Sequence, residues 1–289
     1  MSASKKVTLG LIQTSSVHAH APNVEKTFTH IREAAARGAQ VICTQELYTS
    51  DYFCQTHDEA HFDLAVEIPG ELTAQTGELA KELGVVIISS LFEKRAPGVY
   101  HNTATVHDAD GSMLGIYRKM HIPEDPGFHE KFYFTPGDTG FKVFDTRFGR
   151  LGVLICWDQW FPEAARLTAM QGAEILFYPT AIGVLPDEPE ALKREFMDAW
   201  EIMHRSHAVA NGCYVAAVNR VGQEGEIRFW GDSFVSGPFG QMLAQAGDQH
   251  EILLVECDLS LIEKQRRTWP FLRDRRIDAY DGLLKRLGR

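Results

Sequence analysis

Residues 151–166 read LGVLICWDQWFPEAAR and run from an apolar strand, through a cysteine, into a helix. The predicted strand spans 151–156, and Pro162 suits the first turn of a helix over 162–171. In α/β sheets, ligands bind at the carboxyl ends of the strands, and a following helix N-terminus favours a thiolate. The stretch therefore predicts a layered α/β fold with Cys156 as candidate nucleophile, although many cysteines are simply small buried hydrophobes.

The same order of strand and helix is found in both halves of the chain. Apolar periodicity predicts strands at 7–13, 40–46, 85–92, 102–107, 112–118, 151–156, 175–179, 213–219, 229–235, 242–246 and 252–257, and helices at 23–37, 72–83, 162–171 and 190–210. The strands that end each half have no crossover helix, so we expect them to pair antiparallel within mixed sheets. No linker interrupts the pattern, which favours a single domain over 1–289, with a core at about 5–259 and a C-terminal extension at 260–289.

Composition argues against polyanionic partners. Lys and Arg number 29 against 39 Asp and Glu, giving a net charge of -10, which disfavours nucleic acid and membrane surfaces. No apolar run approaches the roughly 18 residues of a membrane helix. Five cysteines without a CxxC pair are typical of a reduced, cytoplasmic protein. The Arg-rich extension is expected to pack on the body or on another subunit.

Familiar cofactor and metal motifs are missing from the sequence. There is no GxGxxG after a strand and no GxxxxGK[ST], so no nucleotide cofactor is predicted. The segment His57-Asp-Glu-Ala-His61 lacks the glutamate directly after its first histidine that zinc proteases use as a base. We therefore predict an activity that uses neither a cofactor nor a metal.

A catalytic thiol needs a base or a cation nearby, since an ordinary cysteine is only a few per cent thiolate at neutral pH. Glu46 ends the predicted strand 40–46, and Lys119 follows the predicted hairpin strand 112–118. Taken singly, each residue is better explained as a strand-end charge in water. Spacing alone leaves open whether the two side chains meet Cys156.

Three motifs, TQELY at 44–48, YRKMHIP at 117–123 and LICWDQWFPEAAR at 154–166, resemble the Glu-Lys-Cys triad of the nitrilase superfamily of carbon–nitrogen hydrolases. The resemblance covers the chain from the first strand to about Asp258. It implies a four-layer αββα sandwich with two mixed sheets and pseudo-twofold related halves. It further implies a homo-oligomer, either a dimer or a larger assembly of dimers, and a second glutamate, Glu130, that positions the substrate and the lysine.

The resemblance also implies a mechanism. Cys156 would form a covalent intermediate, Glu46 would take the thiol proton and later activate water, and Lys119 would stabilise the oxyanion. Segments 128–138 and 173–183 are similar to superfamily members that hydrolyse the ureido group of N-carbamoylputrescine in polyamine biosynthesis. The substrate-binding positions expected from this resemblance are Tyr52, Trp157, Thr180, Leu185 and Asp187.

One departure from those members concerns the distal amine of the substrate. They commonly have an acid where this chain has Leu185, so Asp187, Glu188 or an acid from 48–59 would have to face the ammonium. Two other activities stay open: hydrolysis of a ureido acid such as N-carbamoyl-β-alanine, and hydrolysis of an ω-amide. An inactive binding or scaffold protein of the same fold is the alternative outside enzymes.

Overall fold

The chain alternates between strands and helices over residues 5–288, the part that the computed structural model describes. The strands are β1 (Lys6–Gln13), β2 (Val41–Thr44), β3 (Val86–Ala96), β4 (Val99–His107), β5 (Met113–Arg118), β6 (Val143–Thr146), β7 (Gly149–Val153), β8 (Ile175–Pro179), β9 (Gly183–Val184), β10 (Tyr214–Val218), β11 (Val221–Glu224), β12 (Ile227–Trp230), β13 (Phe234–Ser236), β14 (Met242–Gln245) and β15 (Glu251–Asp258). The α-helices are α1 (His20–Ala36), α2 (Glu71–Leu83), α3 (Glu130–Tyr133), α4 (Pro162–Met170), α5 (Glu190–Asn211) and α6 (Ser260–Thr268).

Two six-stranded sheets repeat one topology. The first has the order β15-β1-β2-β3-β4-β5 and the second has the order β14-β13-β10-β8-β7-β6. In each sheet three central strands are parallel, and the two strands that follow them along the chain pair antiparallel, as the sequence predicted. An antiparallel strand closes the other edge, β15 in the first sheet and β6 in the second. The mixed sheets and the related halves are therefore confirmed.

Alternating side chains of the central strands build the layers. Leu11, Cys43 and Ile88 point from the first sheet into a core that they share with the second sheet. Their neighbours Ile42 and Ile87 point the other way, onto α1 and α2. Because side chains alternate across a strand, apolar residues on both faces require cover on both sides. With α4 and α5 on the second sheet, the result is the expected αββα sandwich.

The predicted strand 229–235 is wrong, since two strands occupy this stretch. β12 pairs in a small third sheet of order β11-β12-β9, whereas β13 belongs to the second large sheet. Between them, Gly231 has φ +72° and Asp232 has φ +54°, which turn the chain out of one sheet and into the other. An apolar run cannot reveal such a break, because residues on both sides of it are buried.

The C-terminal extension begins with a helix that the sequence analysis did not predict. In α6, Ile262 is buried in the main core, and Arg266 Nε donates to the Asn211 carbonyl over 3.1 Å. After α6 the apolar side chains are largely in solvent, and Leu284 is 93% exposed. The extension therefore packs on the body chiefly through α6, and beyond it Trp269 stacks on Phe239 and Arg275 lies against Met170.

All five cysteines, Cys43, Cys54, Cys156, Cys213 and Cys257, are buried and unpaired. Over residues 5–288, no helix has the length and apolar character needed to cross a membrane.

Candidate active site

Cys156 lies on a sharp turn between the second sheet and α4. Strand β7 ends at Val153, before the predicted limit of 156, and Cys156 opens a short 3-10 helix that ends at Trp160. Its φ of +41° is uncommon for a residue with a side chain and marks local strain. Because α4 begins only at Pro162, the thiol lies on the turn and not at the first N–H groups of that helix.

A buried carboxylate holds this turn in place. Asp158 accepts hydrogen bonds from the Ile155 backbone N–H over 2.9 Å and from the Tyr117 hydroxyl over 2.7 Å. Its other oxygen lies 2.7 Å from His121 Nδ1, and the His121 ring stacks on Phe161 at 3.7 Å. The sequence analysis did not identify Asp158, because it reads as one more polar residue after the cysteine.

Glu46, Lys119 and Glu130 form one fully buried cluster. Lys119 Nζ donates to Glu46 Oε1 over 2.8 Å and to Glu130 Oε2 over 2.6 Å. Glu46 Oε1 also accepts from Asn102 Nδ2 over 2.7 Å, and Glu130 Oε1 accepts from the Tyr52 hydroxyl over 2.8 Å. Glu46 Oε2 is buried and has no hydrogen-bond partner within 5–288, so it is free to accept a proton.

Burial and charge together set the protonation of this cluster. Burial raises the pKa of Glu130 to about 7, against the opposing effect of Lys119. Burial alone would lower the pKa of Lys119, but the carboxylates of Glu130 and Glu46 outweigh it and raise that pKa. Burial raises the pKa of the Cys156 thiol, and Glu46 raises it further. The resting thiol is therefore neutral and needs a base when it reacts.

The thiol opens into a cavity of about 490 Å³. Aromatic and aliphatic side chains form most of its wall: Phe128, Trp157, Trp160, Ile182, Leu185, Phe196 and Trp230. Three carboxylates, those of Asp125, Glu130 and Glu188, also line it. Within 5–288, no Lys, Arg or His side chain lines the cavity. An apolar cavity with acidic groups suits a small ligand that carries a positive charge.

The expected substrate-binding residues are only partly found at this cavity. Trp157 and Leu185 line it, and Tyr52 lies behind it, against Glu130. Thr180 does not line it, because this fully buried residue donates its hydroxyl to the Tyr178 carbonyl over 3.0 Å.

Asp187 is also excluded from the cavity wall, since it is exposed at the surface. Its neighbour Glu188 turns inward, and its Oε2 accepts from the Leu185 backbone N–H over 2.8 Å. The turn at 185–188 therefore places Glu188, one of the acids considered for the amine, in the cavity wall and leaves Asp187 outside it.

A buried arginine supports the loop that follows Glu46. Arg220 donates to the Glu46 carbonyl over 2.8 Å and to the Leu47 carbonyl over 2.9 Å. It also pairs with Glu224 at 2.6 Å. Leu47 has φ +50°, so the chain needs this support to hold its turn. An Asn-Arg pair after an apolar strand gave no sign of this role.

Comparison with known proteins gives the same family from sequence and from structure. The carbon-nitrogen hydrolase family matches residues 8–267. N-carbamoylputrescine amidase of Arabidopsis thaliana is 47% identical, covering 97% of this chain and 96% of its own. The citrullinase of Francisella tularensis is 40% identical, covering 97% of this chain and 99% of its own.

Two solved structures are also similar. A carbon–nitrogen hydrolase from Helicobacter pylori G27 superposes with a TM-score of 0.95 at 48% identity, covering 97% of this chain and 99% of its own. An amidase variant from Nesterenkonia sp. AN1 has a TM-score of 0.76 at 27% identity, covering 96% of each chain, and it carries the acetamide moiety of fluoroacetamide on its active site cysteine. The chain thus belongs to the carbon–nitrogen hydrolase family of the nitrilase superfamily and is a cysteine-dependent amidohydrolase.

Proposed function

We propose that the chain hydrolyses N-carbamoylputrescine to putrescine, CO2 and ammonia through a covalent intermediate on Cys156. The observation that carries this proposal is the cavity, which joins a buried thiol to acidic groups and has no cationic lining side chain within 5–288. The name of the Arabidopsis relative supports the same substrate. The covalent adduct on the cysteine of the Nesterenkonia amidase supports the same kind of intermediate.

The first half of the reaction forms a thiocarbamate. Cys156 Sγ attacks the ureido carbon while its proton passes to the unpartnered Glu46 Oε2. Two of the three N–H donors of Lys119 are used by Glu46 and Glu130, which leaves one for the developing oxyanion. Collapse of the tetrahedral intermediate expels one nitrogen, which takes the proton from Glu46.

The second half of the reaction frees the enzyme from the thiocarbamate. Glu46 removes a proton from water, and the resulting hydroxide attacks the thiocarbamate carbon. The C–S bond breaks, Cys156 regains its proton, and the carbamate product decomposes to CO2 and the second amine. Glu130 takes no proton in this scheme, because its carboxylate is already hydrogen-bonded to Lys119 and Tyr52. Its role is to position Lys119.

Charge in the cavity discriminates among ureido substrates. The distal ammonium of N-carbamoylputrescine would meet the carboxylate of Glu188, with Asp125 also in the wall. N-carbamoyl-β-alanine ends in a carboxylate, and citrulline has a carboxylate beside its ammonium. Each would place its carboxylate at the distal end of the cavity, against the acidic wall of Asp125 and Glu188 and away from Lys119, which is costly. The acidic wall therefore favours the simple amine.

Ammonia release from a substrate panel tests this proposal. We expect the highest kcat/KM for N-carbamoylputrescine, with lower values for L-citrulline, N-carbamoyl-β-alanine and an ω-amide. An equal kcat/KM for the cationic and anionic ureido compounds would refute the assignment of an amine substrate. A clear preference for citrulline or for the uncharged amide would do the same.

Glu188→Gln tests the amine contact, with Asp187→Asn as its matched control. We expect Glu188→Gln to raise KM for N-carbamoylputrescine about tenfold or more with little change in kcat, because a charge-assisted hydrogen bond is lost from the bound substrate. Asp187 is outside the cavity wall, so its substitution should leave KM unchanged. Equal effects of the two variants would contradict the contact.

Covalent labelling separates an enzyme from an inactive scaffold of the same fold. Mass spectrometry after treatment with a substrate-like electrophile should find the adduct on the peptide that contains Cys156. Cys54 is also buried but does not line the cavity, and it serves as the internal control. Full turnover by Cys156→Ala would exclude the cysteine mechanism.

We also propose a homo-oligomer, a dimer or an assembly of dimers, in the cytoplasm. Exposed apolar side chains on α4 and on the extension support an interface, among them Leu167, Met170 and Leu284. Light scattering of the wild type and of Leu284→Glu tests it, since a charge at such an interface should lower the measured mass. The five free cysteines support a reducing compartment.

A further inference from the structure

Three side chains from two separate segments meet outside the catalytic cavity. His129 Nδ1 lies 2.8 Å from Glu124 Oε1, and His57 Nε2 lies 3.8 Å from the same oxygen. One ligand atom of each residue lies within 4.8 Å of the other two. No other group of this kind occurs in the part of the chain that the structure describes.

We propose that His57, Glu124 and His129 bind a divalent transition-metal cation of the Zn²⁺ class. Two imidazoles and one carboxylate are a common ligand set for such ions, and water can fill the fourth position. Ligands about 2 Å from a tetrahedral ion stand roughly 3.3 Å apart. The site therefore needs His57 to move by roughly 1 Å, and its side chain, which is 53% exposed and stacks on Phe132, can do so by sliding on that ring.

The three proposed ligands lie on the two segments that also position Glu130. Tyr52, on the segment that leads to His57, donates to Glu130, and His129 precedes Glu130 directly. The two segments already touch, because the His129 backbone N–H donates to the Cys54 carbonyl over 2.7 Å. A bound ion would therefore add a cross-link between two segments that are otherwise joined by hydrogen bonds and aromatic packing, and it should stabilise the fold.

The site does not use the pair of histidines that the sequence places one turn apart. His61 Nδ1 lies 3.0 Å from the Tyr133 hydroxyl, away from the proposed site. His57 finds its partners across the fold, on residues that sequence spacing could not connect with it.

Zn²⁺ titration of the full chain by calorimetry tests the site. We expect one ion per chain in the wild type, with affinity reduced about tenfold or more by each of His57→Gln, Glu124→Gln and His129→Gln. His18→Gln is the matched control, since His18 pairs with Asp51 at 3.0 Å in a group that lacks a third ligand. Absence of binding, or binding that His57→Gln leaves unchanged, would overturn the proposal.

Co²⁺ absorption identifies the ligands independently of affinity. We expect visible bands of nitrogen and oxygen ligation without sulfur-to-cobalt charge transfer in the ultraviolet. A charge-transfer band that Cys156→Ala removes would place the ion on the catalytic thiol and overturn the proposal.

One kinetic consequence rests on the proposed function. Glu124 and His129 line a second cavity that shares Asp125 and Leu185 with the catalytic one. A cation there should repel a cationic substrate, so Zn²⁺ should raise both the Tm and the KM for N-carbamoylputrescine. A higher Tm that depends on His57, with KM unchanged, would support the metal site and count against the cationic substrate. An unchanged Tm would count against the metal site.

Discussion

Two clusters of buried charged residues lie close together in this molecule. They differ in which of their hydrogen-bonding atoms have no partner. The lysine cluster consists of Lys119, Glu46 and Glu130, and the arginine cluster consists of Arg220 and Glu224. The paired atoms are 2.6 to 2.8 Å apart in both, and all five side chains are almost completely buried. By burial and distance alone, either cluster would qualify as a reactive centre.

In the arginine cluster both oxygens of the carboxylate accept hydrogen bonds, although the buried Arg220 Nε has no hydrogen-bond partner within 5–288. Arg220 donates to three loop carbonyls, those of residues 46, 47 and 50. Glu224 accepts from the backbone N–H groups of Ser16 and Tyr52 as well as from Arg220. A carboxylate with both oxygens occupied has little capacity to take a proton, so this cluster fixes the loop.

The lysine cluster contains a carboxylate oxygen that accepts no hydrogen bond. Glu46 Oε2 has no hydrogen-bond partner within 5–288, and Glu130 forms part of the cavity wall. Leaving a buried acceptor unpaired costs about 1–3 kcal/mol, a cost that a purely structural ion pair would have no reason to bear. Of the two clusters, the lysine cluster combines an unused acceptor with a residue in the cavity wall, whereas the unused atom of the arginine cluster is a donor, so we expect the lysine cluster to be the reactive one.

Glu46→Gln should have the largest effect on turnover. The glutamine keeps an oxygen for Lys119 and Asn102 but cannot take the thiol proton, so we expect kcat to fall by about 10³. Steady-state ammonia release measures this fall. The melting temperature should change little, because Lys119 keeps the charge of Glu130 as its partner.

Lys119→Ala is a less selective probe than Glu46→Gln. It removes the cation between two buried carboxylates, so it should lower stability together with kcat. A Glu46→Gln variant that kept kcat within tenfold of the wild type would show that the unpaired oxygen has no catalytic use.

Arg220→Met should have its largest effect on stability. It leaves Glu224 without its charged partner and three loop carbonyls with one donor fewer, so the free energy of unfolding should fall by about 3–5 kcal/mol. Urea denaturation measures this change. Glu263→Gln, in an exposed pair with Arg267, is the control and should cost less than about 0.5 kcal/mol. Similar losses in the two variants would remove the distinction between buried and exposed pairs.

The sequence predicted the long, regular elements of the fold because their apolar period is clear. The strand at 175–179 has the predicted limits, and α5 differs from its prediction by one residue. Strand β9 has only two residues, which are too few to carry a period. The change of sheet at Gly231 depends on backbone angles that the apolar pattern does not encode.

The sequence analysis named the site residues that resemble a known triad. It did not name the residues that hold those side chains in position. Lys119 is buried against both glutamates, which motifs far apart in the sequence could suggest only through family resemblance. Asn102, Asp158 and Arg220 are ordinary polar residues in the sequence, and their importance comes from partners distant along the chain. The sequence could not show that Glu188 faces the cavity, because this depends on the direction of a turn that a single sequence does not determine.

Tyr52→Phe should give the smallest effect and the sharpest test of how Glu130 acts. The Tyr52 hydroxyl donates to the Glu130 carboxylate and favours its charged form, so removing it should raise a pKa that is already about 7. A hydrogen bond to a charged group contributes about 1.5–3 kcal/mol, and one pH unit corresponds to about 1.4 kcal/mol. We therefore expect the acidic limb of the kcat/KM profile to move up by about one pH unit.

The control for that shift is Tyr133→Phe. Tyr133 donates to the Thr56 carbonyl over 2.6 Å and has no hydrogen bond to Glu130, so its loss should leave the acidic limb where it is. If Tyr52→Phe lowered kcat without moving the limb, Tyr52 would act on the substrate directly. If both variants moved the acidic limb, its position would reflect the structure of the loop and not the protonation of Glu130. A shift confined to Tyr52→Phe would mean that the lysine cluster, unlike the arginine cluster, depends on the charge of a carboxylate that titrates near neutral pH.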